Sequence, residues 1–289
     1  MIFGAHVSTE GGLAAAFARA EEAGCDAFQI FTRNRAAWKS RALGEEQVRA
    51  WRSRWKASTI SRVVAHASYL LNIASPAKDL RRRSADALRD ELERCEALGI
   101  PFLVLHPGSH MGAGEAEGLE RAAESIDRVH AATRGFRARI LIETSPGHGS
   151  SVCHRFESLG ALLRMVADPE RLGACVDTCH IFAAGYELRT EKGYAATLEA
   201  LDREIGIDKV SCIHVNDSKR ELGSRVDRHE YIGKGCLGLR AFRRLVNDGR
   251  LEKIPLILEI SPGPRNDKNK ENLEVLRSLV RGPVGRAKK

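Results

Sequence analysis

Phe102-Leu103-Val104-Leu105-His106 sets four apolar residues in a row and then stops on an imidazole. A short, unbroken apolar run of this kind reads as a β-strand buried on both faces. The same signature recurs on either side: V-V-A-H ends on His66, R-I-L-I-E on Glu143, A-C-V-D on Asp177, V-S-C-I-H on His214 and P-L-I-L-E on Glu259. One ionisable residue at a strand tip is ordinary; six describe a site. Two more strand ends fall near His6 and Phe31, and the spacing of about 25 to 45 residues is that of a strand–helix unit. Helical patterns lie between. Ser84 is the expected N-cap of a helix whose stripe is Leu88, Leu92, Cys95 and Leu98, ended by Gly99. Leu239, Phe242, Leu245 and Val246 form a second stripe, closed by Gly249, and Leu273, Leu276, Leu279 and Val280 a third. Eight strands alternating with helices predict an α/β protein, a single (β/α)8 TIM barrel that gathers the strand tips at one mouth. An open doubly wound sheet is the alternative, but it would not bring six tips around one centre. No linker interrupts the pattern, so one catalytic domain is expected over 1–280, and the basic C-terminal tail 281–289 is expected to be flexible.

Composition narrows the function classes. A chain of 289 residues with 43% hydrophobic and 29% charged residues is that of a globular protein. No apolar stretch approaches the roughly 18 residues that span a membrane, and no signal core precedes the first strand, so the expected address is cytoplasmic. Seven irregularly spaced cysteines argue against a disulfide framework. Cys25, Cys95 and Cys212 read as small core residues; Cys175 and Cys179 flank Asp177 and read either as core or as metal ligands. The net charge of +8 favours a polyanionic partner, with basic residues at Arg33, Arg35, Lys39, Arg41, Arg52, Arg54, Lys56 and Arg81–Arg83. For the last triplet a solvated helix face is the competing reading.

Three further candidates lie just past the strands: His180 in D-T-C-H, and Asp227 and His229 in D-R-H. The full set is His66, His106, Glu143, Asp177, His180, His214, Asp227, His229 and Glu259, five imidazoles and four carboxylates. That mixture suits zinc, and also manganese or iron. A catalytic zinc takes about three protein ligands plus water, so nine ligands exceed one ion, and three ions with one bridging carboxylate fit best. Three divalent cations carry +6 against −4 from the four carboxylates, which leaves room for hydroxide and an anionic substrate such as phosphate. Metal-activated water attacking phosphorus in line is the chemistry this implies. His6, His110, His148 and His154 are expected around the site or on the surface.

Seven motifs along the chain resemble those of the endonuclease IV family of apurinic/apyrimidinic (AP) endonucleases. They are G-A-H-V-S (4–8), H-A-S-Y-L (66–70), H-P-G-S-H (106–110), D-T-C-H with A-A-G-Y (177–186), H-V-N-D-S-K (214–219), G-S-R-V-D-R-H (223–229) and L-I-L-E (256–259). The resemblance implies zinc-dependent hydrolysis of the phosphodiester 5′ to an abasic site in duplex DNA, in base excision repair. It leaves a 3′-hydroxyl and a 5′-deoxyribose phosphate. It implies three zinc ions, with manganese or iron an option at one position. His66, His106 and Glu143 would hold the first; Glu143 (as bridge and catalytic residue), Asp177, His214 and Glu259 the second; His180, Asp227 and His229 the third. It further implies DNA contacts at Tyr69 and Leu70, an aromatic–apolar wedge suited to unstacking, with Arg228 also expected to contact DNA and Arg35 either substituting for the arginine the family inserts or leaving that insertion weaker. Two departures stand out: Ala36 where the family can insert an arginine, and E-T-S-P-G-H-G (143–149) in place of E-N-T-A-G-Q-G. A monomer is expected. The competing functions are a metal-dependent sugar isomerase or epimerase on a related barrel, and a non-catalytic lesion binder with structural zinc.

Overall fold

The computed structural model describes residues 1–263 and 266–281. Eight parallel strands close into a barrel: β1 (Ile2–His6), β2 (Ala27–Ile30), β3 (Arg62–His66), β4 (Phe102–Leu105), β5 (Arg139–Glu143), β6 (Leu172–Asp177), β7 (Val210–His214) and β10 (Pro255–Leu258). A small antiparallel pair, β8 (Asp217–Ser218) and β9 (His229–Glu230), sits in the connection after β7. The barrel is clothed by helices α1 (Ala15–Glu22), α2 (Glu45–Lys56), α3 (Lys78–Leu98), α4 (Glu115–Ala132), α5 (Phe156–Met165), α6 (Thr178–Ala184), α7 (Glu191–Glu204), α8 (Gly238–Leu245) and α9 (Asp267–Leu279). The α/β barrel expected from the strand spacing is the observed fold. The expectation of a frayed tail lies outside the described residues from 282 onward.

Strand parity explains how the barrel serves a site. Side chains alternate between the two faces of a strand. Ala27, Val64, Val104, Leu141, Cys175, Cys212 and Ile257 form an apolar cluster of their own inside the barrel. Each lies two residues before a polar residue at the mouth, namely Gln29, His66, His106, Glu143, Asp177, His214 and Glu259. The interior is thus an apolar plug capped by a polar layer. Gly4 completes the plug on β1, where a Cβ would stand 2.0 Å from the Ala27 carbonyl oxygen. The opposite strand faces pack under the helices in a second, larger core that includes Phe17, Phe28 and Trp51.

Three helix expectations need correction. Ser84 lies inside α3, not at its start: its hydroxyl donates to the Leu80 carbonyl (2.8 Å) and accepts from the Asn72 N–H (2.9 Å). The helix starts earlier, after Pro76, where the Ser75 hydroxyl accepts the Ala77 N–H (3.1 Å). Leu239 is 44% exposed and Val246 closes α8, so Gly249 opens a 3-10 turn instead of ending the helix. Val280 is also exposed, beyond the end of α9. Gly99 does end α3, in the left-handed conformation (φ 76°) that glycine adopts without strain. Among the described residues no helix is long and apolar enough to cross a membrane.

Candidate metal centre

His66, Glu143, Asp177 and His214 are the last residues of β3, β5, β6 and β7, and His106 and Glu259 directly follow β4 and β10. Short α6 begins at once after β6, with Asp177 as its N-cap accepting the His180 N–H (2.9 Å). That turn points the His180 side chain back over the mouth. The β8–β9 pair brings Asp227 and His229 across from the far side of the long connection. All nine residues proposed from sequence meet at this mouth, in three groups whose possible ligand atoms lie within 4.8 Å of one another: His66, His106 and Glu143; Glu143, Asp177, His214 and Glu259; His180, Asp227 and His229.

Glu143 is the hub. Its Oε2 is 3.1 Å from His66 Nε2 and 3.2 Å from His106 Nε2, while its Oε1 is 2.9 Å from His214 Nδ1. His180 Nε2 stands 3.2 Å from Asp227 Oδ2, and His229 Nε2 stands 3.3 Å from Asp227 Oδ1 and 3.6 Å from Asp177 Oδ2.

Hydrogen bonds behind the rings decide which imidazole nitrogens face the centre bare. Nδ1 of His66 donates to the Ala67 carbonyl (2.7 Å), that of His180 to Thr144 (2.9 Å) and that of His229 to Glu259 (2.8 Å). Each Nδ1 thus carries a proton, and Nε2 turns toward a carboxylate, where either a proton or a cation can lie between them. His214 is oriented the other way by Gln29. The Gln29 amide nitrogen donates to Glu259 Oε1 (2.5 Å), so its oxygen accepts from His214 Nε2 (2.8 Å) and leaves Nδ1 inward. Lone pair facing lone pair at about 3 Å is repulsive unless a cation or a proton lies between. Nε2 of His180 and of His229 are buried without a hydrogen-bond partner.

Ionisation follows the same surplus of negative charge. Burial pulls the His180 imidazole down, but Asp177, Asp227 and Glu143 outweigh it and hold the ring well above its ordinary pKa. Burial likewise opposes the charge on His66, and Glu143 raises that ring against it. Burial pushes the Glu143 carboxyl up, yet the His106 and His214 charges hold it well below the usual range. Despite its burial, Asp227 is held at about 2 by His180 opposite. Divalent cations would replace those ring protons, as metal binding does wherever imidazole and carboxylate share a site. The donor set and its bare nitrogens fit such ions.

Several supporting residues were given no role in the sequence reading. Gln29 is fully buried, links Glu259 to His214, and lies 3.0 Å from Nδ1 of His6. Asn216 donates to Asp177 Oδ2 (2.7 Å) and accepts the Glu259 N–H (2.8 Å), joining two strand tips. Asp217 is buried and accepts backbone N–H groups of Ser218, Gly233, Gly235, Leu237 and Gly238, fastening the connection that carries Asp227 and His229. Thr144, one of the departures from the family pattern, accepts the Asp177 N–H through its hydroxyl (3.0 Å) and the His180 ring through its carbonyl. His148 is exposed. Cys175 belongs to the apolar plug beside Cys212 yet lies near His214, and Cys179, whose thiol burial pushes up to about 12, lies near Asp177 and His229, so both cysteines stay within reach of a metal.

The residues expected to meet DNA lie on loops at the mouth. Tyr69 is 60% exposed, Leu70 half-buried, Arg35 exposed with its guanidinium 5.4 Å from the Phe31 ring, and Arg228 exposed beside Asp227. Ala36 is exposed. Met111 was not foreseen: it stands 57% exposed after β4, at φ 50°, inside a Met-Gly-Ala-Gly run that reads as a plain turn. Of Arg81–Arg83, Arg83 stacks over the Trp38 ring at 4.3 Å, and Arg82 is exposed.

A family model described as a xylose isomerase-like TIM barrel matches residues 17–279. A probable endonuclease 4 from Chloroflexus aurantiacus is 49% identical over 280 residues, covering 97% of this chain and 98% of its own. The crystal structure of endonuclease IV from Thermus thermophilus superposes with a TM-score of 0.86 at 35% identity, covering 96% of this chain and 98% of that one. A D-tagatose 3-epimerase-like protein shares the fold, with a TM-score of 0.72 at 21% identity over 96% of this chain and 97% of its own. With relatives of that identity spanning nearly all its length, the chain belongs to the endonuclease IV family.

Proposed function

We propose that this protein is a DNA-repair endonuclease that cuts duplex DNA on the 5′ side of an abasic site, leaving a 3′-hydroxyl and a 5′-deoxyribose phosphate. The observation that carries the reading is the Glu143 hub, with three ligand groups around it in a barrel related to endonuclease 4 proteins. Zinc suits this donor set, and three ions suit its number, with manganese or iron an option at one position. Bound there, divalent ions would acidify water and clamp the attacking and leaving oxygens of an in-line displacement at phosphorus.

The chain's own residues supply orientation and charge. Glu143 offers one oxygen to the His66/His106 side and the other to the His214 side, so it would bridge two ions. Asp177, His214 and Glu259 would complete the second site, and His180, Asp227 and His229 the third. Carbonyl partners behind His66, His180 and His229 hold Nδ1 and turn Nε2 inward, where a bound cation would take its lone pair. Tyr69 and Leu70 would enter the stack beside the lesion, and Arg35 and Arg228 would meet phosphates, in keeping with the net charge of +8. The protein would act as a monomer in the cytoplasm, with one catalytic domain over 1–280.

The test is metal content together with cleavage of a duplex carrying one tetrahydrofuran abasic analogue. Three divalent ions per chain and a single nick 5′ to the analogue are expected. A second reading, sugar epimerisation, draws on the epimerase-like fold neighbour and on the group Glu143, Asp177, His214 and Glu259, which alone could serve a one-metal site. One ion per chain with ketose epimerisation and no nick would favour it.

A further inference from the structure

Helix α3 carries two charged residues that are buried away from the metal centre, Glu91 and Arg94, and a third, Arg33, reaches them from the loop after β2. Arg33 Nε lies 3.2 Å from Glu91 Oε1, and its guanidinium also meets Asp90 (3.3 Å). The remaining partners are backbone groups of two loops at the mouth. Arg33 donates to the carbonyls of Ala37 (3.1 Å) and Trp38 (3.4 Å), and Arg94 to those of Thr32 (2.6 Å) and Arg41 (3.0 Å). Glu91 accepts the Ser68 N–H (2.9 Å). The Ser68 hydroxyl donates to the Arg35 carbonyl (2.5 Å) and accepts from the Leu70 N–H (3.2 Å). One charge cluster thus grips the loop bearing Arg35 and the loop bearing Tyr69.

Its energetics point away from simple stabilisation. Burying an ion costs several kcal/mol, and a well-packed apolar pair is often as stable or more so. Glu91 Oε2 is buried with no hydrogen-bond partner, and the Arg33 Nε–H meets Glu91 Oε1 as an ion pair without hydrogen-bond alignment. What such a cluster supplies that apolar residues cannot is a fixed position for irregular backbone, whose N–H and C=O groups need partners.

We propose that Arg33, Glu91 and Arg94 are positioning residues that hold the Arg35 and Tyr69 loops in the shape that meets damaged DNA. This rests on the endonuclease reading above. The experiment uses the full-length metal-loaded protein and the tetrahydrofuran-containing duplex, and compares Glu91→Gln, Tyr69→Ala and the double variant. Glu91→Gln is expected to raise KM about tenfold or more, as small misplacements of binding elements do, with kcat and metal content near wild type. The double variant is expected to fall short of the sum of the two single effects, because part of what Glu91 does runs through the Tyr69 loop and the rest through the Arg35 loop. Effects that add in full, an unchanged KM, or a kcat that falls in step with metal content would overturn the proposal. Ser68→Ala keeps the N–H that Glu91 accepts but removes the hydroxyl that bridges the Arg35 carbonyl and the Leu70 N–H, so it loosens the same two loops without stranding a buried charge. If Glu91→Gln does not fold, Ser68→Ala is expected to give a smaller rise in KM that is reduced further in a Tyr69→Ala background; an unchanged KM or full additivity there would overturn the proposal. A wild-type protein that neither binds nor nicks this duplex would instead remove the endonuclease reading, and this inference with it.

Discussion

Two parts of the candidate metal centre are built by different means. His66, Glu143, Asp177 and His214 end barrel strands, and their side chains are almost wholly buried. Asp227 and His229 arrive on a long connection outside the barrel, and the Asp227 side chain is 49% exposed. The strand tips are held by neighbours on both sides of a closed sheet. The arm is held by the two-residue β8–β9 ladder and by the N–H cage around Asp217. Local opening is easiest where few buried contacts must break. The strand-borne half is therefore the more firmly held part of the candidate centre, and the arm-borne half is expected to loosen first.

The most severe break in that contrast is Glu143→Gln, because the residue belongs to two ligand groups at once. Cleavage should fall by on the order of 10³-fold or more, as when a main electrostatic element of a site is lost, while circular dichroism stays native. A near-wild-type rate would remove the bridging role. Asp227→Asn should have a smaller and more local effect: metal analysis is expected to find the arm-borne ion missing and the other two retained. Timed chelation of the wild type should empty the same position first, and simultaneous loss of all ions would contradict the division. Gln29→Ala tests the strand-borne half by freeing His214 and Glu259 together. A loss of about 10- to 100-fold in metal affinity is expected for an outer partner of this kind, read by competition with a chelating dye. The mildest change is Asp217→Asn, which turns amide hydrogens toward backbone donors and should cost about 1–3 kcal/mol of stability. Its sharper signature is a weaker arm site with an unchanged strand-tip site; equal weakening of both would show that the arm is not separately held.

The strand-borne half was legible because parity and burial are local properties. A run such as R-I-L-I-E buries both faces, and the residue at its tip must face either helices or the mouth. Repetition at six tips turned that choice into a site. His180 was legible for a similar reason, sitting three residues beyond Asp177 in a helix that Asp177 itself caps. Gln29 and Asn216 were not, since an amide within or beside a strand has no meaning until its partners are known, and Gln29 meets residues 185 and 230 positions away. Glu91 carries no mark either, because a glutamate in a charged helix ordinarily faces water. Ser84 looked like a cap because its hydrophobic stripe starts there, whereas the backbone had already turned helical after Pro76.

By itself, the order of residues determined the barrel, the chemical character of its mouth and the family to which the chain is related. These depend on periodicity and on residue type, which act within a few positions. The tertiary structure alone decided which imidazole nitrogen faces inward and which buried charges grip the rim. Those outcomes depend on hydrogen bonds and ion pairs across tens to hundreds of residues, whose strength changes steeply over an ångström that no spacing rule can supply.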